Sequence, residues 1–195
     1  MTPTLTYIVR PRRDSDLPAC AEALRAVHAI SGYPVGGGVD DPPKFLQSDD
    51  KAWVAVREKT DKENDDGDGS EVAAVVGHVA LFTPSEDDVS AALWWQLHPE
   101  ARSAPGGGIL TLRRLFVHPS AQGAGLATRL IETAVADVRG REGGSPRRVV
   151  MFALAKDQAA IRLYRRLGWV HYGTAVHRWG EDEQMDAECF ASSEA

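Results

Sequence analysis

The chain has 195 residues, of which 43% are hydrophobic and 26% charged, enough apolar content to bury one core without disulfide or metal staples. Its formal net charge of −6 argues against a nucleic-acid partner and leans toward cationic ones, and no stretch approaches the ~18 apolar residues of a membrane helix. Cys20 and Cys189, two thiols far apart in sequence, form neither a disulfide framework nor a metal-ligand spacing, so a cytoplasmic protein without metal is expected.

In chain order, Thr6–Arg10 reads as a first strand closed by Pro11. Asp16 and Pro18 open a helix to about Ile30, with Leu17, Ala21, Leu24 and Val27 or His28 on one face. A loop follows, from Gly32 through Tyr33, Pro34 and Val35 to Gly38, and then a short helix, Pro43–Gln47. Ala52–Arg57 and Val72–Phe82 read as paired strands joined by an acidic loop, about 60–71, whose composition predicts a solvated, mobile segment. A calcium loop there fails on register: starting at Asp61, the required Gly and the twelfth-position Glu are missing. Ser85, with Asp88 three residues on, makes a capping box that starts a helical insertion over about 85–98, and Pro99–Gly108 reads as turns. Next come a strand at Ile109–Val117, a helix at Leu126–Val138, a strand at Arg147–Leu154 and a helix at Asp157–Leu167. Two late strands, Val170–Trp179 and Gln184–Ala191, close the chain. No internal repeat is present, and the alternation predicts one α/β domain over 1–195.

The most informative segment is Gln122-Gly123-Ala124-Gly125-Leu126-Ala127, between a strand and a helix. A helix start exposes about four unpaired N–H groups at the positive end of its dipole, a ready phosphate site. Gly123 and Gly125 lack a Cβ, so a diphosphate can approach the main chain closely. There is no Gly-Lys-Ser/Thr for a P-loop, and the Rossmann glycine spacing is not met. The segment from Leu115 to Ala127 resembles the acetyl-CoA signature of the GCN5-related N-acetyltransferases (GNAT), Gln/Arg-x-x-Gly-x-Gly/Ala, with Gln122, Gly125 and Ala127 in the specified places. About thirty residues on, Ala160-Ile161-Arg162-Leu163-Tyr164-Arg165-Arg166-Leu167-Gly168-Trp169 resembles the family's second hallmark, Ala-x-x-Leu-Tyr-x-x-x-Gly-Phe, with Trp169 as the aromatic. Ala160, Leu163, Tyr164 and Leu167 fall at helical spacing on one face.

The resemblance implies a mixed, mostly antiparallel central sheet with a splayed parallel strand pair, Ile109–Val117 and Arg147–Leu154, and flanking helices. It implies acetyl transfer from acetyl-CoA to a primary amine of a small molecule or peptide by direct attack. A non-catalytic acyl-CoA sensor of the same fold is the alternative. Leu115, Phe116, Val117, Gln122, Gly123, Ala124, Gly125, Leu126, Ala127 and Thr128 would hold the cofactor. Asp157 would join them where relatives often have Asn, though Asp lacks the two amide donors. Tyr164 would donate a proton to the leaving thiolate. Many relatives carry a Glu base where Thr111 stands, so the base is sought elsewhere; His78, on the neighbouring strand, is the first choice over Glu86, His98 and His118. Arg113 and Arg114 are either cleft charges or solvated side chains, and Tyr33 and Trp94 are candidates for lining the acceptor side. A covalent acetyl-cysteine route is disfavoured because neither Cys lies near the motifs. A homodimer is compatible with the sequence; neither nucleic acid nor membrane is expected as a partner.

Overall fold

The computed structural model describes residues 5–47, 51–58, 74–103, 108–140 and 148–193. The acidic segment expected to be a mobile loop lies outside the described residues. Seven strands form one mixed sheet in the order β1-β2-β3-β4-β5-β7-β6. They are β1 (Tyr7–Pro11), β2 (Lys51–Arg57), β3 (Val75–Phe82), β4 (Ile109–Val117), β5 (Arg148–Leu154), β6 (Val170–Trp179) and β7 (Glu183–Ala191). The helices are α1 (Leu17–Ser31), α2 (Pro42–Gln47), α3 (Val89–Leu97), α4 (Pro99–Arg102), α5 (Leu126–Arg139) and α6 (Gln158–Arg166). Each expected strand and helix therefore forms, most within a residue or two of its expected ends. The chain divides into two compact units, residues 1–80 with 114–133 and residues 81–113 with 134–195, so the boundaries fall inside β3, β4 and α5.

In the first unit β1 runs antiparallel to β2, from Tyr7↔Arg57 to Pro11↔Trp53. Pro18 sits in the first turn of α1, where its missing N–H costs nothing. Cys20, Ala23, Leu24 and Val27 recur at helical spacing and pack with Leu46, Val54, Val56, Val75 and Phe116 in one cluster. The Arg10 guanidinium meets Asp16 in two hydrogen bonds of 2.7 and 2.8 Å, and the Arg13 N–H donates to the same carboxylate at 2.7 Å. Burial pushes the Asp16 carboxyl up. The bonds from Arg10 and Arg13 and their charges outweigh it and hold the group below the ordinary carboxylate range.

In the second unit β4 pairs parallel to β5 at Ile109↔Arg148, Leu110↔Val149 and Thr111↔Val150. On its other edge β5 pairs antiparallel with β7 from Val150 to Leu154. The insertion forms α3, which packs on β5, β6 and β7. Asp88, not Ser85, is its N-cap, accepting from the N–H groups of Ser90 and Ala91. The segment after it, expected as turns, begins with the single turn of α4. Trp94, Trp95 and Tyr172 pack on a buried cluster of Ala91, Ile109, Val150 and Ala191.

Candidate active site

The glycine-rich segment lies in the first unit, between β4 and α5. His118 turns the chain: its N–H donates to the Val76 carbonyl at 2.8 Å, and its Nδ1 accepts from the Ser120 N–H at 3.2 Å. Pro119–Ala121 form one 3-10 turn, and Gln122 to Gly125 are exposed. Gly123 has φ +82° and Gly125 φ +72°, values at which a Cβ is strained, and a Cβ built on either meets no atom within 4 Å. The Gly125 carbonyl accepts from the Arg129 N–H at 3.1 Å, so the helix starts at Leu126 with its first N–H groups beside the open glycines. Leu126 and Leu130, both fully buried, anchor that first turn. The anchorage is close: a Cβ on Gly77 of β3 would lie 3.0 Å from Leu130 Cδ1.

Just before the cradle, β4 is kinked. Arg114 has φ +55°, the left-handed region that costs a non-glycine residue about 1–2 kcal/mol. His78 holds the kink. Fully buried, it stacks on Phe116 with ring centroids 5.3 Å apart. Its Nδ1 lies 2.9 Å from the Arg114 carbonyl and its Nε2 3.2 Å from Arg12 Nη1. A carbonyl only accepts, so Nδ1 carries the proton; a guanidinium only donates, so the Nε2 lone pair faces Arg12. Both ring nitrogens are thereby engaged. Arg12 also donates to the Leu46 carbonyl at 2.8 Å, and the Arg114 guanidinium lies 4.1 Å from the Phe45 ring centroid.

Tyr33, between α1 and α2, is half-buried against the α1 cluster, and its N–H donates to Ser31 Oγ.

In the second unit, α6 presents Ile161 and Tyr164 as its buried pair, with Ala160, Leu163 and Leu167 half-buried around them, so the inner face is centred one residue later than the expected stripe. Tyr164 is 3% exposed, its ring 5.8 Å from both Trp169 and Phe190. Asp157, the N-cap of α6, makes no side-chain cap hydrogen bond, and burial pushes its carboxyl above the ordinary range against the opposing pull of Lys156. Trp94, a candidate for the acceptor side, is half-buried, meets Tyr172 edge-on at 5.2 Å and lies 4.1 Å from the His98 ring. It packs with Val150 and Ala191 whereas Tyr164 meets Phe190; because strand residues alternate, the two lie on opposite faces of the β5–β7 pair. Cys189 is fully buried, and burial pushes its thiol up to about 12, so it carries no thiolate nucleophile at neutral pH.

Among the described residues, no group of three or more His, Cys, Asp or Glu is placed to hold a metal, and no helix is long and apolar enough to cross a membrane. The model of the acetyltransferase (GNAT) family matches residues 30–169, most of the chain and both motifs. This chain belongs to that family. No curated protein matches the acetyltransferase significantly. Among solved structures it is similar to Arabidopsis thaliana NAA60 in complex with acetyl-CoA, at 22% identity and a TM-score of 0.61, over 95% of this chain and 98% of that one. It is also similar to the ribosomal-protein-S18-alanine N-acetyltransferase from Escherichia coli, at 16% identity and a TM-score of 0.60, over 96% and 93%. An N-acetyltransferase from Staphylococcus aureus Mu50 aligns at 16% identity and a TM-score of 0.61, over 95% and 97%.

Two features of the acetyltransferase were not legible in its sequence. One is the Arg12–His78–Arg114 clamp, joining residues 36 to 66 positions apart. The other lies in the second unit. There Arg113 is exposed with its guanidinium 5.3 Å from the Phe82 ring centroid, and the Phe152 and His177 rings are 4.9 Å apart. The adjacent arginines of β4, and His78 on the neighbouring strand, were the sequence signals for these features.

Proposed function

We propose that the acetyltransferase moves the acetyl group of acetyl-CoA to a primary amine of a small molecule or peptide by direct attack, as one cytoplasmic N-acetyltransferase domain. The observation that carries this reading is the open glycine cradle at the start of α5. Gly123 and Gly125 adopt left-handed backbone with nothing within 4 Å of where a Cβ would stand, beside the start of α5. The residues fit a diphosphate there, with Gln122 to Thr128 supplying main-chain donors. Acetyl-CoA supplies an activated thioester when bound. Main-chain groups of Leu115, Phe116 and Val117, which follow the β4–β5 pairing at Ile109 to Thr111, would serve the pantetheine arm and thioester oxygen. His78 is a positioning residue that keeps the kink at Arg114 rather than the base, since both ring nitrogens are engaged. Tyr164 delivers a proton to the departing thiolate, and Asp157 adds an acceptor to the cofactor's surroundings.

Tyr164→Phe tests the chemistry, because the ring packing with Trp169 and Phe190 is kept and only the hydroxyl goes. We expect kcat to fall by about ten-fold or more with acetyl-CoA affinity unchanged. Wild-type turnover in that variant would remove Tyr164 from the mechanism. Calorimetric titration with acetyl-CoA tests the reading as a whole, with an expected Kd on the order of tens of micromolar or tighter. Absence of heat at two temperatures would overturn it.

A further inference from the structure

Arg113 occupies an unusual place. It stands in β4, which has β3 on one side and β5 on the other, and its predecessors Thr111 and Leu112 are 0% and 3% exposed. Yet Arg113 itself is exposed, so the face of the sheet it projects from is uncovered at this point. The guanidinium lies over the Phe82 ring at 5.3 Å, and among the described residues no carboxylate comes within ion-pairing distance of it. An arginine over an aromatic face is held in one plane with its N–H edge outward, the geometry that pairs a carboxylate with two parallel hydrogen bonds.

Its surroundings in the second unit are aromatic. Phe152 is half-buried and shares the parity of Val150, which places it on the face that α3 covers. His177 of β6 lies 4.9 Å from the Phe152 ring and 5.6 Å from Trp179. Burial, and after it the charge of Arg113, hold the His177 imidazole below its usual range while Asp88 pulls the other way, so at neutral pH it adds no second cation. Asp88 is 4% exposed; its Oδ1 is spent on the α3 cap, receiving Ser90 N–H, Ser90 Oγ–H and Ala91 N–H. Arg113 thus stands over Phe82 and within electrostatic reach of His177, whose ring in turn meets Phe152 and Trp179.

We propose that Arg113 is the anion-binding point of the acceptor subsite, and that the acceptor is an amine that also carries a carboxylate and an apolar or aromatic body. This rests on the acetyl-transfer reading above and narrows it to amino-acid-like acceptors. It also runs against the preference for cationic partners that the net charge of −6 suggests.

The test compares matched amines that differ only by the carboxylate, phenylalanine against phenethylamine and leucine against 3-methylbutylamine, by acetyl-CoA-dependent thiol release. Wild type should favour the amino acids. Arg113→Gln should raise their KM by about ten- to a hundred-fold, as loss of a charge-assisted hydrogen bond requires, with little change for the decarboxylated amines. Arg113→Lys should restore part of the preference, because it keeps the charge and loses the fork. Transfer to amines without a carboxylate preference, or a preference that survives Arg113→Gln, overturns the inference while leaving the acetyltransferase reading intact, and makes Arg113 a solvated side chain. A binding measurement covers silence in the turnover assay: N-acetylphenylalanine, titrated calorimetrically with CoA present, should bind wild type and lose affinity ten-fold or more in Arg113→Gln. Equal binding by the two proteins, or none by wild type, also overturns it.

Discussion

Gly125→Ala separates what the cradle does for folding from what it does for a ligand. Gly123, Gly125 and Gly168 share nearly the same backbone, φ +82°, +72° and +76°, and a Cβ added to any of them meets nothing within 4 Å. No steric clash enters the cost of an alanine at these three positions. What remains is the left-handed conformation, about 1–2 kcal/mol for a residue with a Cβ, offset by about 0.4–1 kcal/mol from stiffening the unfolded chain. Each variant should therefore lose about 1 kcal/mol, a fall in Tm of about 2–4 °C for a chain of this size. Ligand binding breaks the symmetry among the three. A phosphate oxygen bonded to a main-chain N–H sits at about 3 Å, and a Cβ on Gly123 or Gly125 takes that space. Gly168, which ends α6 instead, serves as the internal control. Thermal melts without ligand should rank the three variants together. Calorimetry with acetyl-CoA should then show a ten- to hundred-fold loss for Gly123→Ala and Gly125→Ala, about 1.4–2.7 kcal/mol, and none for Gly168→Ala. Equal affinities across all three would mean that the diphosphate is bound elsewhere.

Other perturbations follow from the charge and hydrogen-bond geometry. Asp16→Asn removes a carboxylate held by Arg10 at 2.7 and 2.8 Å and should cost about 2 kcal/mol at pH 7. Because the folded-state pKa of Asp16 is depressed, that stability is present above the unfolded value near 4 and is lost as pH falls through the folded one; urea melts showing the same deficit at pH 3 and pH 7 would contradict this. Asp157 has the opposite sign. Its raised pKa means that the ionised form burdens the fold above that pKa, so Asp157→Asn should raise Tm at pH 7, with the gain shrinking as pH falls toward 4. A Tm gain independent of pH would reject burial of the charge as the cause. His78→Phe keeps a ring against Phe116 but loses both hydrogen bonds, and should cost about 2–3 kcal/mol while leaving the pH profile of surviving activity unchanged. Loss of a rising limb near pH 6–7 in that variant would instead make His78 the base.

The sequence by itself determined the elements and the cradle, because both depend on residues close together along the chain. Apolar runs such as that within Ile109–Val117 and helix-like stretches such as Leu126–Val138 report local burial, and their bounds match the strands and helices observed to within a residue or so. Positive φ at Gly123 and Gly125 follows from residue type and from the strand–turn–helix order around them. The N-cap of α3 was misplaced by three residues: the capping box read from sequence puts Ser85 there, and Asp88 takes the role. Tertiary structure alone set the surroundings of the side chains. Whether His78 is a base or a strut depends on Arg12 and the Arg114 carbonyl, 66 and 36 residues away. The ring that Trp94 meets edge-on belongs to Tyr172, 78 residues on. Arg113 and Arg114 are neighbours of one residue type in one strand, yet the first is exposed over Phe82 and the second is held at positive φ over Phe45. The physical reason is common to all three cases: periodicity encodes which way a side chain points, but its chemistry is set by partners that only the folded chain brings within hydrogen-bond or ring-contact distance.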